Sequence, residues 1–204
     1  MRMSNLLQRA LLGVVRLVVG AYPRWVAPPA AAGQTIYFAN HTSHVDTLAV
    51  LAALPLEMRA TVRPVAARDY WDASPLRRFI ATRVLRVVFV DRQRQEDRDP
   101  LEPLRAALAA GSSLILFPEG KRNESDVLGE FKSGIFRLAE EFPDVHLVPV
   151  YLSNLNRVMP RGKLVPIPVI CRVGFGEPLE RRSGEDKKQF LARAREAVHT
   201  LQGA

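Results

Sequence analysis

Cysteine is almost missing from this chain of 204 residues. Cys171 stands alone, which excludes an internal disulfide and a multi-thiolate zinc site and fits a reducing compartment. Histidine is scarce too, at four residues, and no His-Glu-x-x-His pattern occurs. The apolar stretch from Leu6 to Ala21 is interrupted by Arg9 and Arg16, so it falls short of the ~20 mainly apolar residues of a spanning helix. Aromatic side chains make up 7% of the chain and form no spaced series on which nucleobases would stack. Neither the Gly-x-Ser-x-Gly elbow of serine hydrolases nor a phosphate-binding glycine loop is found. No internal repeat or low-complexity linker divides the sequence, and no small-residue cleavage site follows the first apolar stretch.

Acid is the other deficit: 21 Asp and Glu face 29 Lys and Arg, a net charge of +8. Such a balance points to anionic partners, whether nucleic acid, phospholipid headgroups or phosphorylated small molecules. Residues 57 to 94 hold nine arginines against four acids. Residues 1 to 24 carry Arg2, Arg9, Arg16 and Arg24 with no acid. A basic face beside an apolar first helix fits anionic lipid better than a nucleic-acid groove, so no nucleic acid is expected. The first helix is expected to be amphipathic and to contact the membrane, with docking on the core as the alternative. Residues 1–30 are read as this helix and a connector, and residues 31–204 as the functional domain. With 48% hydrophobic and 25% charged residues, one sizeable core is expected. Oligomeric state has no signal.

Beyond Pro23 and Pro28-Pro29, strands are expected at 34 to 39, 62 to 67, 85 to 90, 113 to 117, 146 to 152 and 165 to 175. Helices are expected at 44 to 55, 74 to 83, 99 to 110, 131 to 141 and 184 to 202. The alternation predicts an α/β fold, a mixed sheet flanked by helices, with the late strands antiparallel.

Two polar clusters follow apolar runs within this pattern. The first is Asn40-His41-Thr42-Ser43-His44-Val45-Asp46, directly behind Thr35 to Ala39. An imidazole can take a proton from a hydroxyl near neutral pH, and a carboxylate on its other ring nitrogen fixes the tautomer. His41 and Asp46 are five apart, so they would meet only if the chain turns sharply before a helix. Asn40 is expected to tie down that turn through nearby backbone, and Thr42 or Ser43 to cap the helix. His44 is an alternative base, while His41, His44 and Asp46 together would suit zinc. Ser43 as a nucleophile and simple helix capping are further readings.

The second cluster is Phe117-Pro118-Glu119-Gly120-Lys121-Arg122. Arginine grips phosphate through two parallel hydrogen bonds, and lysine adds a mobile charge. Glu119 would orient an arginine, bind a substrate hydroxyl or form a surface salt bridge. Arg92, Arg94 and Lys132 would extend the anion site.

Taken together, these clusters resemble the glycerolipid acyltransferase family that includes 1-acylglycerol-3-phosphate acyltransferases. The His-x4-Asp motif runs from His41 to Asp46; Val87 to Arg92 resembles the second motif, and Phe117 to Arg122 the third. Phe131-Lys132-Ser133-Gly134, Val148-Pro149-Val150 and Val173 to Leu179 resemble later elements. Arg86 stands where the second motif commonly has glycine, and Lys121 where the third commonly has threonine.

The resemblance implies an O-acyltransferase that moves a fatty acyl group onto a hydroxyl of a lysophospholipid, 1-acylglycerol-3-phosphate above all. It implies His41 as general base, Asp46 as its partner, Arg92, Glu119, Gly120, Lys121 and Arg122 around the glycerol phosphate, and Pro149 near the acyl donor. That donor would be acyl-coenzyme A or acyl-carrier protein, with no tightly bound cofactor and no metal. The place of action would be the cytoplasmic face of the cell membrane, peripherally or shallowly inserted. A noncatalytic anionic-lipid-binding protein and a lipid hydrolase are the alternatives.

Overall fold

A computed structural model describes residues 3–28, 33–43, 45–91, 99–123, 127–154 and 171–203. Its centre is β2 (Thr35–Ala39), in which all five residues are buried. A continuous apolar strand such as Thr-Ile-Tyr-Phe-Ala suits a position covered on both faces. β5 (Ser113–Leu116) and β6 (His146–Ser153) flank it, both parallel to it. β3 (Val62–Ala67) and β4 (Val88–Val90) extend the sheet beyond β5, again in parallel.

β7 (Arg172–Phe175) runs antiparallel to β6, as expected for the late strands, and β1 (Tyr22–Trp25) pairs in parallel with β7. The order is therefore β1-β7-β6-β2-β5-β3-β4, a mixed seven-stranded sheet flanked by helices. The stretch read as a connector thus contains a strand. Pro23 hides it in the sequence, but on an edge strand the missing N–H costs no ladder bond.

Helices cover both faces. On one side lie α1 (Met3–Val19), α2 (Asp46–Ala53), α3 (Arg68–Trp71) and α4 (Pro75–Phe79), the last continuing as a π-turn through Val84. Leu12, Val15, Leu51, Ala81 and Phe175 belong to the core they share with the sheet. On the other side α5 (Glu102–Ala109), α6 (Gly134–Glu141) and α7 (Lys187–Thr200) enclose Phe38, Leu104, Ile135 and Phe190.

β4 starts three residues later than expected because Arg86 has φ +54°, outside the extended region. Its carbonyl accepts Arg63 Nε at 2.9 Å and its own Nη2 reaches Ala60 O at 2.6 Å, which hold the kink in place. Residues 165 to 170 of the last predicted strand lie outside the described residues.

α1 divides its surface. Gln8, Leu12 and Val15 are buried against the protein, whereas Leu6, Leu7, Val14 and Leu17 are exposed, Leu17 at 86%. At 100° per residue Leu6, Leu7, Val14 and Leu17 fall in one apolar stripe, with Arg9 and Arg16 beside it. No described helix is long and apolar enough to cross a membrane.

Candidate active site

β2 and β5 are neighbours that run in the same direction, so the segments following Ala39 and Leu116 emerge side by side. Ligands and catalytic groups of open α/β sheets gather at this carboxyl edge. The two polar clusters meet here.

The chain turns between Asn40 and Val45, and α2 begins on Asp46 itself. That turn brings His41 Nδ1 to 2.8 Å from Asp46 Oδ2. The backbone amides of Thr42 and Ser43 donate to the same oxygen at 2.6 and 2.8 Å. The carboxylate is fully buried, and the His41 side chain is 23% exposed. With a carboxylate facing Nδ1, that nitrogen carries the proton and Nε2 is the acceptor. The imidazole stacks on Phe117, ring centroids 4.2 Å apart and planes 19° from parallel.

The capping expectation changes here. Val45 occupies the N-cap without a side-chain bond of its own, Ser43 Oγ accepts the Val45 amide at 3.4 Å, and Asp46 collects the amides of Thr42 and Ser43. Asn40 does not bond to nearby backbone. Its side chain donates to Leu152 O at 3.0 Å and accepts Leu152 N at 2.7 Å, clipping the turn to β6.

Glu119 is 5% exposed, and among the described residues it forms no salt bridge. Oε1 accepts the amide of His41 and Oε2 the amide of Gly129, both at 3.0 Å. The Asn123 amide donates to His41 O at 2.7 Å. The segment after β5 therefore grips His41 by both its N–H and its C=O. Gly120 turns with φ +69°, a conformation that favours glycine, and the Lys132 side chain lies over the space where a Cβ would sit.

Lys121 and Arg122 are exposed and directly precede Asn123, the residue whose amide bonds to His41 O. Pro149 is not brought together with His41. It sits mid-strand opposite Phe38, where a Cβ on Gly176 would come within 2.8 Å of its ring. His44, Arg92 and Arg94 lie outside the described residues. Among the described residues no three His, Cys, Asp or Glu side chains converge as metal ligands.

The pattern that defines the Acyltransferase family matches residues 24–153, which include both clusters. The chain belongs to the acyltransferase family. Human 1-acyl-sn-glycerol-3-phosphate acyltransferase alpha is 30% identical over 122 residues, 58% of this chain and 40% of the human protein. The coconut (Cocos nucifera) 1-acyl-sn-glycerol-3-phosphate acyltransferase is 26% identical over 175 residues, 82% of this chain and 52% of its own. The chain thus spans about half, or less, of the length of these relatives. Its fold is like that in the crystal structure of the 1-acyl-sn-glycerophosphate acyltransferase PlsC from Thermotoga maritima. The TM-score is 0.73 at 18% identity, covering 100% of this chain and 83% of that one.

Within the acyltransferase-family site, three contacts had no clear trace in the sequence. They are the Phe117 stack on His41, the Glu119 bond to the histidine's amide and the bonds of Arg195 to the loop at Leu128 and Gly129. Each depends on a register or loop path that local patterns do not encode.

Proposed function

We propose that this acyltransferase-family chain transfers a fatty acyl group from an acyl-coenzyme A or acyl-carrier-protein thioester to a free hydroxyl of a lysophospholipid. The proposed acceptor is 1-acylglycerol-3-phosphate, in line with the names of the relatives. The observation that carries the reading is the pair of His41 Nδ1 and Asp46 Oδ2 at 2.8 Å, with Lys121 and Arg122 following in the segment that bonds to His41.

In this mechanism His41 Nε2 takes the proton of the acceptor hydroxyl as its oxygen attacks the thioester carbonyl. Asp46 stabilises the imidazolium and keeps the ring in register. The tetrahedral intermediate collapses with cleavage of the carbon–sulfur bond, the thiolate receives the proton from His41, and an ester and a free thiol leave. Lys121 and Arg122, with Arg92, hold the glycerol phosphate so that hydroxyl and thioester meet in line. Glu119 and Gly120 shape that side of the site, and Pro149 contributes to the donor side. Residues 1–30 supply membrane association through the exposed stripe of α1, and residues 31–204 the acyltransferase domain. The protein would work at the cytoplasmic face of an anionic membrane.

The test is mass spectrometry of products from a panel of thioester donors and lysophospholipid acceptors. Acylated acceptor and free thiol in equal amounts are expected. Free fatty acid without acceptor would mean a hydrolase, and vesicle binding without thioester consumption a lipid-binding protein.

A further inference from the structure

We propose that Arg195, on α7, is a positioning residue for His41. Its Nε donates to Leu128 O and Gly129 O, each at 3.2 Å, and its Nη2 donates to Leu128 O at 2.7 Å. The amide of the same Gly129 donates to Glu119 Oε2 at 3.0 Å. Glu119 Oε1 accepts the amide of His41, also at 3.0 Å. A continuous set of hydrogen bonds thus runs from the last helix, through a loop and one buried carboxylate, to the backbone of the histidine.

Two features make this connection stiff. A Cβ on Gly129 would lie 2.7 Å from Glu119 Oε2, so the face of the loop that meets the carboxylate has no room for a side chain. At the other end α7 is firmly anchored. Asp186 and Gln189 form a capping box, Arg193 pairs with Glu185 at 2.6 Å, and Phe190, Ala194 and Val198 are fully buried. Arg195 therefore fixes a loop against a rigid helix, and that loop fixes the Glu119 carboxylate which sets the height of His41 over the site. Reactive groups supported in this way tolerate little displacement.

The kinetic arm of the test rests on the acyl-transfer reading above; the exchange arm does not. In acyl transfer, Arg195→Ala should lower kcat about tenfold while KM for the acceptor stays within about twofold. Arg195→Lys, which retains a cation and a donor, should recover most of the loss. Amide hydrogen exchange should speed up at both Gly129 and His41 in Arg195→Ala, with the amides of Phe190 to Val198 unchanged. Faster exchange at Gly129 alone, with kcat unchanged, would reduce Arg195 to a staple of its own loop and overturn the proposal. If wild-type protein transfers no acyl group yet His41 exchange responds, the positioning role stands and the acyl-transfer reading falls. If Arg195→Ala does not fold, Arg195→Gln carries the same comparison.

Discussion

His41 and Asp46 are held by a turn in which one carboxylate oxygen, Asp46 Oδ2, is shared by the imidazole and the amides of Thr42 and Ser43. Replacing His41 with alanine should lower acyl transfer by about 10²- to 10⁴-fold, the range for a positioned base. Asp46→Asn keeps the shape but removes the acceptor charge on which the ring and turn converge. The double variant should be little worse than His41→Ala alone, because the two act as a unit. Steady-state rates of folded protein check both points, and additive losses would separate their roles. The His41–Asp46 pairing was legible in the sequence because imidazole, carboxylate and strand end lie within a few residues. Asn40 was only half legible: its function as a clip showed, but its partner Leu152 is 112 residues away. The sequence reads Glu119 as orienting an arginine, binding a substrate hydroxyl or forming a surface salt bridge; the two backbone amides it accepts, from His41 and Gly129, leave no mark in its local sequence.

Elements were legible where periodicity and end signals agreed. β3 spans the predicted residues, 62–67, and α7 lies inside its predicted range. α7 starts at Lys187 because Asp186 accepts the Gln189 amide at 2.8 Å and Gln189 Oε1 accepts the Asp186 amide at 3.2 Å. Asp186→Ala should cost about 1 kcal/mol, measured by denaturant unfolding, with the fold unchanged. β1 escaped notice because a four-residue edge strand containing proline has no strand signature of its own; only its pairing with β7 defines it. The kink at Arg86 gives a physical reason for the glycine common at that point of the second motif: φ is positive there. For α1, the exposed Leu6, Leu7, Val14 and Leu17 lead to a membrane test. Leu17→Glu combined with Leu6→Glu should abolish sedimentation with anionic vesicles while leaving melting temperature nearly unchanged, since neither residue is buried.

The whole molecule places its chemistry by strand order. β2, β3, β4, β5 and β6 all point the same way, so the described segments after β2 and β5 open on one edge, and helices close both faces. Alternating elements made the α/β class legible, whereas the order of strands rests on crossovers that no local pattern fixes. Burial in this interior also governs the single thiol. Burial first, then the charge of Asp46, pushes the Cys171 thiol up to about 11. An acid raised in the folded state keeps its proton after the unfolded chain has released it, so stability is complete below the ordinary thiol pKa of ~8.5 and declines between there and about 11. Native protein at pH 8 should therefore resist thiol reagents until denaturant is added, and Cys171→Ala should flatten the alkaline decline in unfolding curves. Rapid labelling of native protein would contradict the burial.

The pairing of β1 with β7 sets a timetable for biosynthesis. β1 is made before every other strand of the sheet, yet the strand it binds is translated after all of them, so the edge can close only late. Until then the nascent chain carries α1 ahead of a strand with no neighbour, and its leucines emerge from the ribosome before the body that will bury Leu12. On the proposed membrane reading, a bilayer would meet that helix before the sheet edge has closed, so that translation order as well as affinity would govern the encounter.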